Sequence, residues 1–512
     1  MGMRRDLPAL STNTFDLLVV GAGIHGAAIA WDASLRGLSV ALVDQGDFGA
    51  ATSAKSLRII HGGLRYLTRG DLPRMLESIR ERSALLRIAP ELVEPLPVLV
   101  GSYRGMLRGR GAIRIGLLLN DLVSFRRNRR LPQEQWIQKG QLVSRQECLE
   151  LFPWFSPQQL TGGALWYDAR LRHPERLTLA FVRSAAERGA VAANYVRADK
   201  ILVREGQTQG VLATDLDRGG RVEIRAHTVV VAAGPWTGDL ISGTLNPGSR
   251  IERPRALALN LLISRPLSSV AVGVQARSTA EQDPVGGGNR FLFAVPQDGK
   301  SLLGTWYGVG QGSSPPPAPE RGGRILLEEF NQACPGLELS PRDVLDCQWG
   351  WLPLKAGGLS ALAERPPIID YGMAGPARHL LSVEGVKYTT ARSVAERIVD
   401  WVFRDMGKPA PRCSTDQVPL SLSGYDRRLP PPEGVTREDV HHAVRQEMAL
   451  KLSDIVFRRT SLGTTPLARS TVAHAAVWAG AELGWDTLRQ EAEIEEVMRQ
   501  HGAQRADREP VG

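Results

Sequence analysis

Three glycines and one carboxylate near the start of the chain carry the clearest chemistry in the sequence. Gly21, Gly23 and Gly26 stand in the run Gly21-Ala22-Gly23-Ile24-His25-Gly26, and Asp44 closes the next apolar stretch. This is the G-x-G-x-x-G spacing of a dinucleotide site. Gly21 makes the tight turn, Gly23 lets backbone approach a pyrophosphate, and Gly26 lets a helix pack on a strand. A helix opening in the run turns its free N–H groups and positive dipole end toward phosphates. Asp44 lies where a carboxylate takes a ribose hydroxyl. The same spacing also occurs in turns of purely structural use, so its flanks decide.

The flanking elements are in register. Phe15–Val20 is an apolar, β-branched run that reads as a buried strand. Ala27 to Arg36 is helix-forming, with Gly37 at the C-cap position. Leu38–Val43 is a second strand, ended by Asp44. Strand, glycine turn, helix, strand and acid together predict a Rossmann-like α/β unit.

The loop after Asp44 is rich in small residues, and Thr52, Ser53 and Ser56 offer hydroxyls. Composition alone makes it an ordinary polar loop. Its residues nonetheless resemble a known family. Thr52-Ser53 and Ile60-His61-Gly62-Gly63-Leu64-Arg65-Tyr66-Leu67 look like the signature of FAD-dependent glycerol-3-phosphate dehydrogenases, a branch of the D-amino-acid-oxidase-like flavoproteins. The resemblance continues in Asp168-Ala169-Arg170-Leu171, Ala232-Ala233-Gly234-Pro235-Trp236 and Gly385-Val386-Lys387-Tyr388-Thr389-Thr390. It reaches the tail in Val444–Ala449 and Arg458–Gly463, and so covers nearly the whole chain. The HGGLRYL stretch is specific, whereas AAGPW is shared more widely among flavoproteins.

The resemblance implies FAD as the cofactor. It places Gly21, Gly23, Gly26, Asp44, Thr52, Ser53, His61, Gly62, Gly63, Gly234, Trp236, Gly385 and Thr389 at that cofactor. It also implies oxidation of the C2 hydroxyl of sn-glycerol 3-phosphate to dihydroxyacetone phosphate, with electrons passed to a quinone. Arg65, Tyr66 and Lys387 then fall on the substrate side. The planar fork of Arg65 suits a phosphate or carboxylate. His61, with an ordinary imidazole pKa of about 6.5, is either the acceptor of the hydroxyl proton or a group that shapes the Gly62-Gly63 turn. Lys387 either polarises the flavin or the alkoxide, or forms a surface salt bridge.

Several family features are replaced. Trp351-Leu352-Pro353-Leu354 stands where a phosphate-binding arginine precedes Pro-Leu. Arg255-Ala256-Leu257-Ala258 replaces Lys-Gly-x-His, Gly304-Thr305-Trp306-Tyr307 replaces Gly-Thr-Thr-Asp, and Val386 replaces a glycine. Losing a phosphate-pairing arginine removes a bond worth roughly 1.5–3 kcal/mol, which Lys355 or Arg255 is placed to offset. The cofactor half is kept and the substrate half is altered.

Composition bounds the rest. A chain of 512 residues predicts two or three domains, and 43% hydrophobic with 23% charged residues suits a globular protein. The formal charge of +9 favours anionic partners, and no nucleic-acid module is present. Cys148, Cys334, Cys347 and Cys413 show neither metal-site nor disulfide spacing, so reduced thiols and no metal are expected. Met1–Thr14 lacks the apolar core of a secretory signal, and no run spans a membrane. A cytoplasmic protein is expected, one that can lie on the inner face of the membrane. Residues 104–130 set Ile113, Ile115, Leu117, Leu118, Leu119, Leu122 and Val123 between arginine flanks, as an interfacial helix on anionic lipid requires. A core-packed helix with a solvated basic end is the alternative.

The expected organisation is an FAD-binding domain in three segments, 15–105, 166–245 and 351–408. A basic amphipathic insertion with part of the substrate domain covers 106–165. An antiparallel-sheet substrate domain covers 246–350, and a helical C-terminal domain 409–512, after Pro430-Pro431-Pro432. Two other functions fit the same residues. One is a related oxidoreductase for another hydroxy or amino substrate, with an aromatic pocket of Trp306, Tyr307 and Trp351. The other is a flavin-binding protein without catalysis. A homodimer is compatible with all three.

Overall fold

Strand segments that are apolar at every position need cover on both faces, and Leu17–Val20, Val40–Val43 and Val229–Val231, all buried, are such segments at the centre of the first sheet. A computed structural model describes residues 2–67, 70–103, 110–245, 254–279, 282–285, 288–311, 319–355, 358, 361–375, 377–422, 434–464 and 466–503. The eight-stranded first sheet runs Ile368–Asp370, Leu380–Val383, Arg221–Val231, Thr14–Val20, Val40–Val43, Val191–Ala193. The central pairings are parallel, and Ile368–Asp370 adds an antiparallel edge. Val196–Arg204 and Gln207–Asp215 form a hairpin on the first half of Arg221–Val231. One face is covered by helix Ile24–Leu35, which packs against helices Pro174–Glu187 and Ala391–Asp405. Leu17, Val19, Leu42 and Ile29 lie in that core, while Leu18, Val20, Ala41 and Val43 pack on the opposite side. The glycine run starts this helix early: Gly23 is its N-cap, so it opens at Ile24 rather than Ala27.

The nine-stranded second sheet runs Val344–Pro353, Pro254–Ile263, Lys300–Gln311, Gly288–Gln297, Ala271–Ser278, Val93–Tyr103, Leu160–Leu171, Ile59–Ile60, with Gln141–Val143 pairing beside this path on Leu160–Leu171. It is antiparallel except where Ala271–Ser278 meets Val93–Tyr103. Two of its strands are poorly signalled by the sequence. Pro90–Pro97 reads only as a helix break, yet a strand begins at Val93. Pro95 and Pro97 precede Val98, where the neighbouring strand Ala271–Ser278 begins to pair, so they face an edge that is open among the described residues. Leu160–Leu171 also belongs to this sheet, and the chain returns to the first layer with the helix at Pro174. The two faces of the sheet differ. Leu257, Leu259, Leu261 and Ile263 pack with Leu326 and Phe330 of helix Pro319–Ala333. Asn260, on the other face, turns toward the first sheet and donates to the Lys55 carbonyl at 3.0 Å.

Helices Arg437–Glu447, Arg469–Leu483 and Thr487–Ala503 close around Val440, Leu452, Val472 and Val497. Between the first two of these helices lie a short helical turn, Leu452–Asp454, and a π-helix, Ile455–Arg459. Pro430–Pro432, Gly286, Gly287 and most of the Ser313–Glu320 connector lie outside the described residues.

Candidate active site

Neighbouring parallel strands deliver their C-terminal ends to one edge, and four of these ends carry residues singled out by sequence. In spatial order, Leu380–Val383 leads to Gly385, Arg221–Val231 to Gly234, Thr14–Val20 to Gly21, and Val40–Val43 to Asp44. At about 4.8 Å between strands they span roughly 14 Å. Open parallel sheets bind ligands outside this edge. A Cβ on Gly26 would lie 1.8 Å from the Gly21 carbonyl oxygen, so only glycine lets the helix sit this close to the turn. Gly21 itself has φ +102, in the region that favours glycine. Ile24 N–H donates to Ser53 Oγ at 3.0 Å, which pins the loop at 52–55 against the helix start. Thr52 accepts from the Trp351 N–H at 3.1 Å and so joins the same loop to the second sheet.

Asp44 accepts from the N–H groups of Ala22 at 2.6 Å and Gly46 at 2.8 Å. Burial pushes its carboxyl up to about 6, against these two bonds. The loop behind it is held from an unexpected direction. Asp47 is buried and accepts from Arg458 at 2.5 Å, from both terminal nitrogens of Arg459 at 2.7 and 2.8 Å, and from Asn194 at 3.1 Å. Burial alone would raise this carboxyl, but Arg459 and Arg458 outweigh it and hold it below the usual range. Glu447 makes a second tie, to Arg176 at 2.5 and 2.6 Å. The C-terminal helices, to which sequence reading assigned no chemistry, thus fix the loop that carries Asp44.

The His61-Gly62-Gly63 turn is built by a buried pair. Asp168 accepts from the Gly62 N–H at 2.5 Å and from Arg82 at 2.7 Å. A Cβ on Gly62 would strike the Arg82 guanidinium at 2.3 Å, and Gly63 has φ +80. The turn leads into Tyr66, whose ring centroid is 5.9 Å from that of His61. Lys387 donates to the Tyr66 hydroxyl and lies 4.8 Å from its ring centroid. Arg74 stacks on the same ring at 5.1 Å. His61, Tyr66 and Lys387, distant in sequence, are therefore adjacent. Tyr66 and Lys387 border a cleft that Arg74, Arg365 and Arg397 line together with Glu77 and Glu364. The Arg65 side chain lies outside the described residues.

Residues 16–401 match the family described as FAD dependent oxidoreductase, and residues 412–490 match the C-terminal domain of alpha-glycerophosphate oxidase. Over 433 residues the chain is 31% identical to the glycerol-3-phosphate dehydrogenase of Synechocystis sp., covering 81% of this chain and 75% of that protein. Over 425 residues it is 30% identical to the aerobic glycerol-3-phosphate dehydrogenase of Staphylococcus aureus, covering 81% and 72%. The chain belongs to the FAD-dependent glycerol-3-phosphate dehydrogenase family. The solved glycerol-3-phosphate dehydrogenase of Bacillus halodurans, complexed with FAD, shares the fold at TM-score 0.74 and 24% identity, over 99% of this chain and 98% of that one.

The carboxyl edge fits the cofactor of this dehydrogenase family. A Cβ on Gly234 would meet nothing within 4 Å, and one on Gly23 would meet only Ser53 Oγ, at 3.1 Å. Gly234 faces open space, whereas Gly23 leaves room only up to the Ser53 hydroxyl. Each Asp44 oxygen accepts one backbone bond and keeps a lone pair for a ribose hydroxyl. His25 adds a feature that the sequence reading passed over. It is buried, its pKa is lowered by that burial to about 4, and its Nε2 has no hydrogen-bond partner among the described residues. A Cβ on Gly385 would lie 2.4 Å from its Nδ1, so His25 and Gly385 interlock at the helix start. Its position inside the glycine run was the available signal. Arg82 and Asp168 give no local signal for a different reason: they lie 86 residues apart in the chain. Trp236 closes the 3₁₀ turn Gly234–Trp236, and Thr389, buried, lies in the turn before helix Ala391–Asp405.

The substrate side departs from one sequence expectation. Trp306 and Trp351 do not form an aromatic pocket facing the cofactor. Both are buried in the core beneath helix Pro319–Ala333, where Trp306 Nε1 donates to the Gln282 carbonyl at 2.6 Å and a Cβ on Gly322 would strike the Trp306 ring. Strand alternation sends them to the far face. The neighbouring residue Leu352 pairs with Ala256 in the adjoining strand. Arg255 is buried, and a terminal nitrogen lies 3.6 Å from Glu384, beside the Gly385–Lys387 turn. Lys355 is exposed.

Proposed function

We propose that this chain oxidises sn-glycerol 3-phosphate at C2 to dihydroxyacetone phosphate, with FAD as the immediate acceptor and a membrane quinone as the next. The single observation that carries this reading is the Tyr66–Lys387 contact beside His61, at the mouth of an arginine-lined cleft. FAD, bound at the carboxyl edge, supplies a two-electron acceptor for the C2 hydride. The protein supplies the rest. Lys387 and Tyr66 hold the C2 oxygen as negative charge develops on it, and His61 takes the hydroxyl proton. Arg65 is the sequence-derived phosphate anchor. Arg74, which pairs with Asp71 and Glu364, and Arg255, 3.6 Å from Glu384, are the candidates for the cationic charge lost with Leu352. Steady-state oxidation with a soluble quinone analogue, read as dihydroxyacetone phosphate formed, tests the proposal. Turnover of glycerol 3-phosphate with no turnover of glycerol supports it, and turnover of neither rejects it.

The quinone reading needs access to lipid. No helix among the described residues is long and apolar enough to cross a membrane. Helix Arg110–Val123 instead presents Ile115, Leu118, Leu119 and Leu122 to solvent, with Phe125 just beyond, exposed at 71%. Leu117 turns inward onto Gly140, so it is a core residue and not part of the stripe. Arg114, Arg126, Arg129 and Arg130 are exposed, whereas Arg127 is buried against the Ile137 carbonyl. Arg104, Arg108 and the side chain of Arg110 lie outside the described residues. The exposed set is what we propose rests on anionic lipid, each arginine adding about 1 kcal/mol. Flotation with anionic vesicles should fall when Leu118 and Leu122 are changed to Ser, and should weaken with salt. Equal flotation of parent and variant would return the helix to an ordinary surface role.

A further inference from the structure

The strands that end at the cofactor edge carry a second cluster of chemistry near their other ends. His227 lies four residues before the end of Arg221–Val231, about 13 Å back along the strand. His379 immediately precedes Leu380–Val383, and Asp405 is the last residue of helix Ala391–Asp405. One nitrogen from each imidazole and one Asp405 carboxylate oxygen lie within 4.8 Å of one another. We propose that His227, His379 and Asp405 form a binding site for a divalent first-row transition metal, with Zn²⁺ as the fitting representative.

The donor set is the first argument. Two imidazoles and one carboxylate match the borderline preference of zinc, and leave a fourth position for water at the exposed His227. Metal–ligand bonds near 2.0–2.2 Å set tetrahedral ligands roughly 3.3 Å apart.

The surroundings are the second argument. Asp405 accepts from His379 Nδ1 at 2.8 Å and from Thr228 Oγ1 at 3.1 Å, which orients its carboxylate. His379 is held at φ +63, an uncommon region for a residue with a Cβ, while its carbonyl accepts the Val229 N–H at 2.9 Å. His227 Nδ1 lies 3.1 Å from Thr228 Oγ1, the hydroxyl that donates to Asp405, so all three groups share one network. The two imidazole rings lie 4.5 Å apart between centroids, tilted by 51°, and a proton on either repels one on the other. The other charged groups nearby are Asp16 and Lys408, which pair with each other at 3.6 Å. Their charges cancel, so the cluster itself is anionic through Asp405 and suits a dication. A bound metal would tie the strand to the end of the helix.

The test uses the FAD-loaded protein, stripped with chelator and titrated with ZnCl₂ by calorimetry and by thermal melting. The parent should take up one equivalent at this site and melt higher with zinc. His227→Ala and His379→Ala should each weaken that uptake by roughly tenfold or more and lose the rise in melting temperature, with flavin content unchanged. Because His227 is exposed, its replacement does not threaten folding. Zinc uptake that is the same in parent and His227→Ala, or no uptake by the parent, would overturn the site.

Discussion

The carboxyl edge of the first sheet and the facing side of the second sheet are built from different materials. The edge is made of backbone: glycine turns at Gly21, Gly234 and Gly385, a helix start, and one carboxylate. The facing side is made of side chains brought together by register between strands, such as Leu352 against Ala256. A backbone site tolerates almost no replacement, because an added Cβ at Gly26 or Gly385 has nowhere to go. A side-chain site can lose one charge and draw another from the next strand, as Arg255 is placed to do. This difference is consistent with the expectation that replacements gather on the substrate side rather than at the glycine turns.

The sharpest way to break this comparison is to attack the edge from the C-terminal helices. Asp47→Ala should destabilise the protein by about 3–5 kcal/mol, because it leaves the Arg458 and Arg459 charges buried. Denaturant melts read the loss, and flavin content should fall with it. In the parent, the Asp47 pKa is lowered on folding. Its contribution is therefore complete above the unfolded carboxyl pKa of about 3.9 and is lost as pH falls through the folded value. If Asp47→Ala is as stable as the parent, the C-terminal helices do not brace the cofactor loop.

On the substrate side, Lys387→Met should lower kcat by roughly a hundredfold while leaving FAD content intact, read by steady-state kinetics beside the flavin absorbance. Next in size is Gly26→Val. Overpacking there costs about 1–3 kcal/mol, enough to weaken FAD binding by roughly tenfold, measurable by fluorescence titration. A smaller effect is expected from pH. The Asp44 carboxyl is raised to about 6, so it gains a proton as pH falls through that value and its capacity to accept ribose hydroxyl bonds declines. FAD affinity should drop on acidification through this range in the parent and stay flat in Asp44→Asn. Smallest of all, Trp351→Phe should change KM by less than about twofold, since its ring lies in the far core. A large KM change would restore the aromatic pocket.

These contrasts also show which features the sequence makes legible. The cofactor edge is local: Gly21 to Asp44 spans a strand, a helix and a strand, and each residue's role follows from its neighbours. Adjacency of His61, Tyr66 and Lys387 was accessible only through family resemblance, because no periodicity links position 66 to position 387. The bracing of Asp47 by Arg458 and Arg459 was hidden for the same reason, as was the Asp168–Arg82 pair beneath Gly62. Val93–Tyr103 escaped because its two prolines imitate a loop and are tolerated only beside an open edge. The faces of Trp306 and Trp351 depend on strand phase, which a single residue of misregister reverses.

The central claim is that the altered substrate side still serves glycerol 3-phosphate. Anaerobic mixing of the FAD-loaded protein with glycerol 3-phosphate, followed by visible absorbance, tests it most directly. The account predicts that the flavin bleaches with glycerol 3-phosphate, and that it stays oxidised with equal concentrations of glycerol, lactate or an amino acid. A flavin that stays oxidised with glycerol 3-phosphate and bleaches with one of the others would contradict it.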